Sequence, residues 1–337
     1  VVVQTDFFEL GLCPVRPFPR LQIKKTLLES GASLDYRPRD LQPEAEMSDD
    51  LRTALNIERP LMIVGVINAY AALQAQSAGF RAIYLSGAGV ANAGFALPDL
   101  AMTGLGDVLE DTRRITGAVD LPLLVDADTG WGEGLSIGRT ARELARAGAA
   151  AMHLEDQVAT KRCGHRIGKQ LVSPEEMEER VTAAVDGRPD ENFLVMARTD
   201  ALSVEGLDRT LDRCERYVQA GADMIFFEGA TRLRQLSRVA ETIRVPILAN
   251  ITEFGQTPLW GREQLEKTGI DLVLYPLSAF RAMAKAAAGV YESIRCNGTQ
   301  REVLPQMQTR TELYETLDYE SYEAHADTII ERAHNRG

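Results

Sequence analysis

Short apolar, β-branched runs that end on a polar residue recur along the chain from residue 61 onward. They are LMIVGVIN (61–68), AIYLSG (82–87), LPLLVDAD (121–128), AAMHLEDQ (150–157), FLVMARTD (193–200), MIFFEG (224–229), VPILANIT (245–252) and LVLYPLS (272–278). Near-continuous apolar runs of this length mark strands covered on both faces. Amphipathic stretches of helical length lie between most of them, such as ARELARAGA (141–149) and LDRTLDRCERYVQAGA (207–222). Several close on a small residue and glycine, at Ala78-Gly79, Ala147-Gly148, Ala220-Gly221 and Thr268-Gly269, where glycine suits a helix C-terminus. Eight strand–helix units predict a parallel sheet closed into a (β/α)₈ TIM-type barrel. A doubly wound open sheet is the alternative, but no GxGxxG turn follows Asn68.

Two stretches depart from the repeat, 88–120 and 158–192, and we read them as long connections of functional kind. An extra C-terminal helical segment, roughly 311–335, carries Leu313, Leu317, Ile329 and Ile330 and is expected to pack on something, such as another subunit. Residues 1–46 hold five prolines and no sustained period, and we expect a poorly ordered extension. A helix opens after Met47, with Ser48 or an aspartate as N-cap. Met47 is therefore read as the natural start of a single barrel domain, 47–337, with an overlong reading frame upstream; a native flexible arm is the other reading.

Composition narrows the partners. A net charge of −12 argues against nucleic acid and anionic membranes. It also means that an anionic substrate needs local cations or a metal. No apolar run approaches the roughly 18 residues of a membrane span. Four widely spaced cysteines without a CxxC pair fit a reducing cytoplasm.

The strand C-termini of such a barrel build its active site. Here they carry Asn68, Ser86, Asp126, Asp128, Glu155, Arg198, Glu228, Asn250, Thr252 and Ser278, with Arg281 just beyond. One or two polar ends are ordinary caps; a ring at nearly all eight is not. Asp126 and Asp128 alternate on a strand end and so face the same way. Two carboxylates repel unless a cation lies between them, and oxygen ligands suit Mg²⁺. Glu155 and Glu228 are placed to hold metal-bound water or protons, or to form a structural ion pair. The segment Lys161-Arg162-Cys163-Gly164-His165-Arg166 sets a thiol among cations, which favours thiolate; Gly164 permits close backbone approach. Arg198, Arg281 and Arg310 are candidate carboxylate clamps, although Arg310 lies outside the barrel repeat.

At these residues the chain resembles the isocitrate lyase / phosphoenolpyruvate mutase superfamily. The likeness covers about residues 50–335 and rests on YLSGAG (84–89), LPD (97–99), VDADTGWG (125–132), EDQ (155–157), KRCGHR (161–166), MARTDA (196–201), NITEFG (250–255), YPLSAFRA (275–282) and MQTR (307–310). It departs at Ala88, where the family commonly has glycine, and at Phe227, where proline is expected. The resemblance implies Mg²⁺ on Asp126 and Asp128, with Asp99 and Glu155 behind them. It implies substrate contacts at Ser86, Gly87, Ala88, Cys163, Gly164, Arg198, Glu228, Asn250, Ile251, Thr252, Arg281 and Arg310. It implies catalytic roles among Cys163, Glu155, Tyr84, His165 and Lys161, with Cys163 as acid, Tyr84 or a network through Glu155 as base, and the loop 158–168 closing over substrate. It also implies a homotetramer with the last helix swapped between subunits.

The branch with the nearest motifs cleaves a methyl-branched tricarboxylate by a retro-aldol step in propionate breakdown. Isocitrate cleavage is the nearest rival, because one methyl discriminates by only about 1–3 kcal/mol. Oxaloacetate-decarboxylating and phosphonate-forming relatives lack the KRCGH pattern. A non-catalytic carboxylate-binding barrel ranks last.

Overall fold

The computed structural model describes residues 50–161, 164 and 168–335. The expectations for residues 1–46 and Met47, and for Arg162, Cys163, His165 and Arg166, fall outside them. Eight strands follow: β1 (Leu61–Gly65), β2 (Ala82–Leu85), β3 (Leu123–Asp126), β4 (Ala151–Glu155), β5 (Leu194–Thr199), β6 (Met224–Phe227), β7 (Ile247–Asn250) and β8 (Leu272–Tyr275). Each pairs in parallel with the next, and β8 returns to β1 through pairs such as Ile63 with Leu274. The closed barrel rules out the open-sheet alternative. Every apolar run contains a strand, but the strands end sooner than the runs, because the terminal polar residues have already left the ladder.

Alternation along the strands sorts the core into two compartments. Leu124, Ala151, Leu194, Met196, Met224, Phe226, Leu248 and Leu272 point inward and fill the barrel. Their neighbours Val125, Met152, Val195, Ile225 and Val273 point outward, into the layer beneath the helices. Phe227 belongs to this outer layer, so the departure at that position does not shape the site. The helix Leu51–Ile57 closes one end of the interior: Leu51, Ala54 and Leu55 join the inner cluster with Leu61. Its N-cap is Asp50, whose side chain accepts from the Arg52 N–H at 2.9 Å.

Gly79, Gly148, Gly221 and Gly269 all have positive φ, as expected after helix ends. The two long connections are more regular than the sequence suggests. The stretch 88–120 holds a π-helical turn, Val90–Gly94, and the helix Leu105–Thr116; the stretch 158–192 holds the helix Pro174–Gly187. Both helices are barrel units. Ser173 caps the second, with Pro174 at its first turn. The C-terminal segment is helical as expected, with Arg310–Leu317 and Tyr319–His334 following the helix of the eighth unit, Ser278–Asn297, and none of the three carries a buried residue. Among the described residues, no helix is long and apolar enough to cross a membrane.

The helices Leu135–Arg146 and Pro174–Gly187 meet backbone to backbone. A Cβ placed on Gly187 would overlap the Gly138 Cα and carbonyl. Gly187→Ala is therefore expected to destabilise the protein by about 1–3 kcal/mol, the usual scale of overpacking. Urea denaturation checks this; an unchanged midpoint would show that the crossing can open freely.

Candidate active site

The inward-facing positions turn from apolar to polar toward the C-terminal ends of the strands. Above Leu124 comes Asp126, above Ala151 come His153 and Glu155, above Met196 comes Arg198, above Phe226 comes Glu228, and above Leu248 comes Asn250. These side chains are 9% exposed or less. They surround a cavity of about 330 Å³ lined by Tyr84, Ser86, Ala88, Asp99, Asp126, Lys161, Gly164, Arg198, Glu228, Asn250, Thr252 and Arg281. Its size is within the range for small-molecule sites.

Asp126 closes β3, and its carboxylate is tied on three sides. Oδ2 accepts from the Gly87 N–H at 3.0 Å and the Tyr84 hydroxyl at 3.2 Å; Oδ1 accepts from the Asp128 N–H at 3.0 Å. Asp128 does not reach the site by strand alternation, as the sequence suggests. It lies two residues beyond the strand, at φ 48°, a left-handed turn that brings its carboxylate back beside Asp126. A non-glycine residue held there is strained, and such strain clusters at functional sites. Lys161 reaches in from the connection after β4 and pairs with Asp99 and Asp128 at 2.6 Å each.

Arg198 is ringed by acids. Its Nε is 3.0 Å from Asp200 Oδ2 and 3.4 Å from Glu155 Oε2, and its guanidinium lies over the Phe226 ring. Asn250 donates to Glu228 Oε2 at 3.1 Å. Gly164 is packed on this group: a Cβ there would come within 2.5 Å of Arg198 Nη2 and 2.9 Å of Glu228 Cγ. Only glycine fits.

Burial sets the ionisation states. It pushes the Asp128 carboxyl up to about 6, aided by neighbouring Asp126 and opposed by Lys161. It also raises Glu155 well above the usual carboxylate range, against the pull of Arg198 and Lys161. For Asp126 the burial cost is outweighed by the imidazole of His153, the cations Lys161 and Arg198, and the Asp128 N–H, so this carboxyl is held low. Lys161 stays an ammonium: burial is overcome by Glu155, Asp126, Asp128 and Asp99. Burial and Asp126 raise the Tyr84 phenol well above its ordinary value. Tyr84 donates its hydroxyl hydrogen bond to Asp126.

Burial thus raises two carboxyls of one site, Asp128 and Glu155, against the pull of the nearby cations. Glu155 Oε1 is also buried without a hydrogen-bond partner among the described residues. Both features fit a hard divalent cation, which takes oxygen ligands and keeps several waters. Among the described residues, no group of three or more His, Cys, Asp or Glu is placed to hold a metal ion.

Not every expected residue comes together. Arg281 lines the cavity and pairs with Glu253 at 3.7 Å. Ile251 is buried in the outer layer. Arg310 begins an exposed helix and does not line the cavity of its own chain. Asn68 is the N-cap of the helix Ala69–Ser77, accepting from the Ala71 N–H, and Ser278 donates to Glu253. His153 went unnoticed in the sequence because it stands in mid-strand within an apolar run. It is fully buried between Tyr84 and Phe226, with Nε2 2.9 Å from the Tyr84 hydroxyl.

Comparisons with known proteins identify relatives of the chain and of its fold. The family model described as phosphoenolpyruvate phosphomutase matches residues 51–295. A 2-methylisocitrate lyase of Salmonella typhimurium is 56% identical over 279 residues, covering 82% of this chain and 95% of the relative. The crystal structure of 2,3-dimethylmalate lyase, a PEP mutase/isocitrate lyase superfamily member, superposes with a TM-score of 0.76 at 33% identity, covering 82% of this chain and 94% of that one. Phosphonopyruvate hydrolase in complex with oxalate and Mg²⁺ gives 0.72 at 28% identity, covering 82% and 98%. Barrel, site and relatives together define a carbon–carbon lyase. The chain belongs to the PEP mutase/isocitrate lyase superfamily.

His153 yields a pH prediction. Burial lowers its pKa from 6.5 to about 4, with Arg198 and Lys161 adding to the effect and Asp126 opposing it. The folded protein therefore binds this proton less readily than the unfolded chain. The associated stability is complete above pH 6.5 and is lost as pH falls toward 4. Relative to a His153→Gln variant, the wild type should lose about 3 kcal/mol more between these limits, at 1.36 kcal/mol per pKa unit. Urea unfolding at both pH values measures it; parallel losses would mean that the imidazole titrates normally.

Proposed function

We propose that this protein is a Mg²⁺-dependent 2-methylisocitrate lyase that forms pyruvate and succinate in the methylcitrate cycle of propionate breakdown. The observation that carries this reading is the carboxylate pair Asp126 and Asp128, held side by side next to a cavity lined by Asp126, Lys161 and Arg198, with Lys161 bound to Asp128. It is joined by 56% identity to a protein of that name. Asp126 and Asp128 would hold the ion, which supplies charge stabilisation for the hydroxyl and carboxylate of the substrate.

The chain's own residues do the rest. The C2 hydroxyl loses its proton to a base. Tyr84 or a carboxylate network through Glu155 is the candidate base, and burial raises both groups. The C2–C3 bond then breaks, its electron pair passing to C3, and C2 becomes the keto carbon of pyruvate. Arg198, Asn250 and Thr252 bind the carboxylates of the departing fragment, and Arg281 guards the cavity rim. Cys163 supplies the proton that converts the C3 carbanion to succinate. The protein works as a homotetramer. The unburied C-terminal helices, with Ile294, Leu317, Ile329 and Ile330 exposed, support their exchange between subunits. Such an exchange would be the route by which Arg310 reaches a site.

Purified protein should release pyruvate from 2-methylisocitrate only when Mg²⁺ is present, and far less from isocitrate. A preference for isocitrate would keep the chemistry and change the substrate. Release from neither would overturn the reading. Cys163→Ser should lower kcat by at least about 100-fold, the scale of general acid catalysis, with unchanged thermal unfolding. Near-normal turnover in that variant would remove Cys163 from the acid role.

A further inference from the structure

Lys169 and Asp200 lie behind the cavity wall and line none of it. Both are buried, Lys169 at 8% and Asp200 at 0% exposure. The Asp200 carboxylate is shared between two cations: it accepts from Arg198 Nε at 3.0 Å on Oδ2 and from Lys169 Nζ at 2.9 Å on Oδ1. Asp200 is itself fixed from behind, since its N–H donates to Asp156 Oδ1 at 2.9 Å. The Asp156 carboxylate also accepts from the Thr199 and Tyr217 hydroxyls, at 2.7 and 2.9 Å. The second arm of Lys169 reaches forward: Nζ donates to the Gly164 carbonyl at 2.7 Å.

From these contacts we infer that Lys169 and Asp200 are positioning residues that fix the Arg198 guanidinium and the Gly164 backbone against one another. The inference rests on the proposed function, in which Arg198 clamps a carboxylate and Cys163, covalently joined to Gly164, delivers the proton. Gly164 packs against Arg198 too closely for any side chain, so the two must be registered together. Lys169 does this without touching substrate. It holds the Gly164 carbonyl with an ammonium whose place is set by Asp200. Proton delivery depends on sub-ångström placement, so the effect of losing the anchor belongs in kcat. The arm that orients Arg198 runs through Asp200 and belongs in KM as well.

The test compares Lys169→Met, Lys169→Arg and Asp200→Asn, using pyruvate release, thermal unfolding and alkylation of Cys163 by iodoacetamide, followed by peptide mass spectrometry without substrate. Lys169→Met should lower kcat by about 10- to 100-fold, the cost of misplacing a reacting group by about an ångström. Its KM should stay near that of the wild type, while Cys163 alkylation rises severalfold. Lys169→Arg, which keeps the cation, should restore most of kcat and the wild-type rate of alkylation. Asp200→Asn should raise KM in addition to lowering kcat. Wild-type kcat and alkylation in a folded Lys169→Met would overturn the inference. So would a Lys169→Arg enzyme that regains thermal stability but not turnover, because the pair would then be structural only. Should Lys169→Met fail to fold, the Lys169→Arg and Asp200→Asn comparison decides. Should the wild type release no pyruvate, the functional reading fails, yet the alkylation rates still test the anchor.

Discussion

The constraint on which the rest of the structure depends is barrel closure. Eight short strands close on themselves, so every second side chain must enter a space with no exit except at the two ends. Apolar residues fill that space from the helix Leu51–Ile57 up to Phe226 and Leu274. At the other end the same inward parity brings Asp126, Glu155, Arg198, Glu228 and Asn250 together. Residues far apart in sequence are thus held on rigid ladders, which is why their spacing is determined to fractions of an ångström rather than by loops.

Burying so many charges is costly unless they compensate one another. The site meets this by interleaving: Lys161 between Asp99 and Asp128, Arg198 among Asp200, Glu155 and Glu228, Lys169 on Asp200. Burial still raises the Asp128 and Glu155 carboxyls. The proposed divalent cation and anionic substrate would enter this balance of charges. The same chain carries an overall charge of −12, so attraction for an anion is local to this end of the barrel.

Much of this was legible in the sequence. The eight apolar runs each contain a strand, because strands buried on both faces leave no other composition open to them. The glycines after the helices were readable for a similar reason: positive φ at Gly79, Gly148, Gly221 and Gly269 suits a residue without Cβ. The helices Leu105–Thr116 and Pro174–Gly187 were hidden inside apparent loops, since each follows a long irregular stretch that masks the repeat. The position of Asp128 was inferred by the wrong route. Strand alternation was the natural argument, while a left-handed turn does the work.

What the sequence by itself determined is the barrel and the run of polar residues at its strand ends, because these follow from periodicity and residue type. What only the tertiary structure decided is which polar residue meets which. Asn68 turns out to cap a helix and Ser278 to bond Glu253, while His153, unremarkable within an apolar run, is enclosed between Tyr84 and Phe226 beside Asp126. Lys169 acquires its meaning from Asp200 and Gly164, one on a neighbouring strand end and one in a connection. Such pairings depend on the register of eight strands around a closed circle, and ionisation depends on burial. Neither is a property of any local stretch of chain.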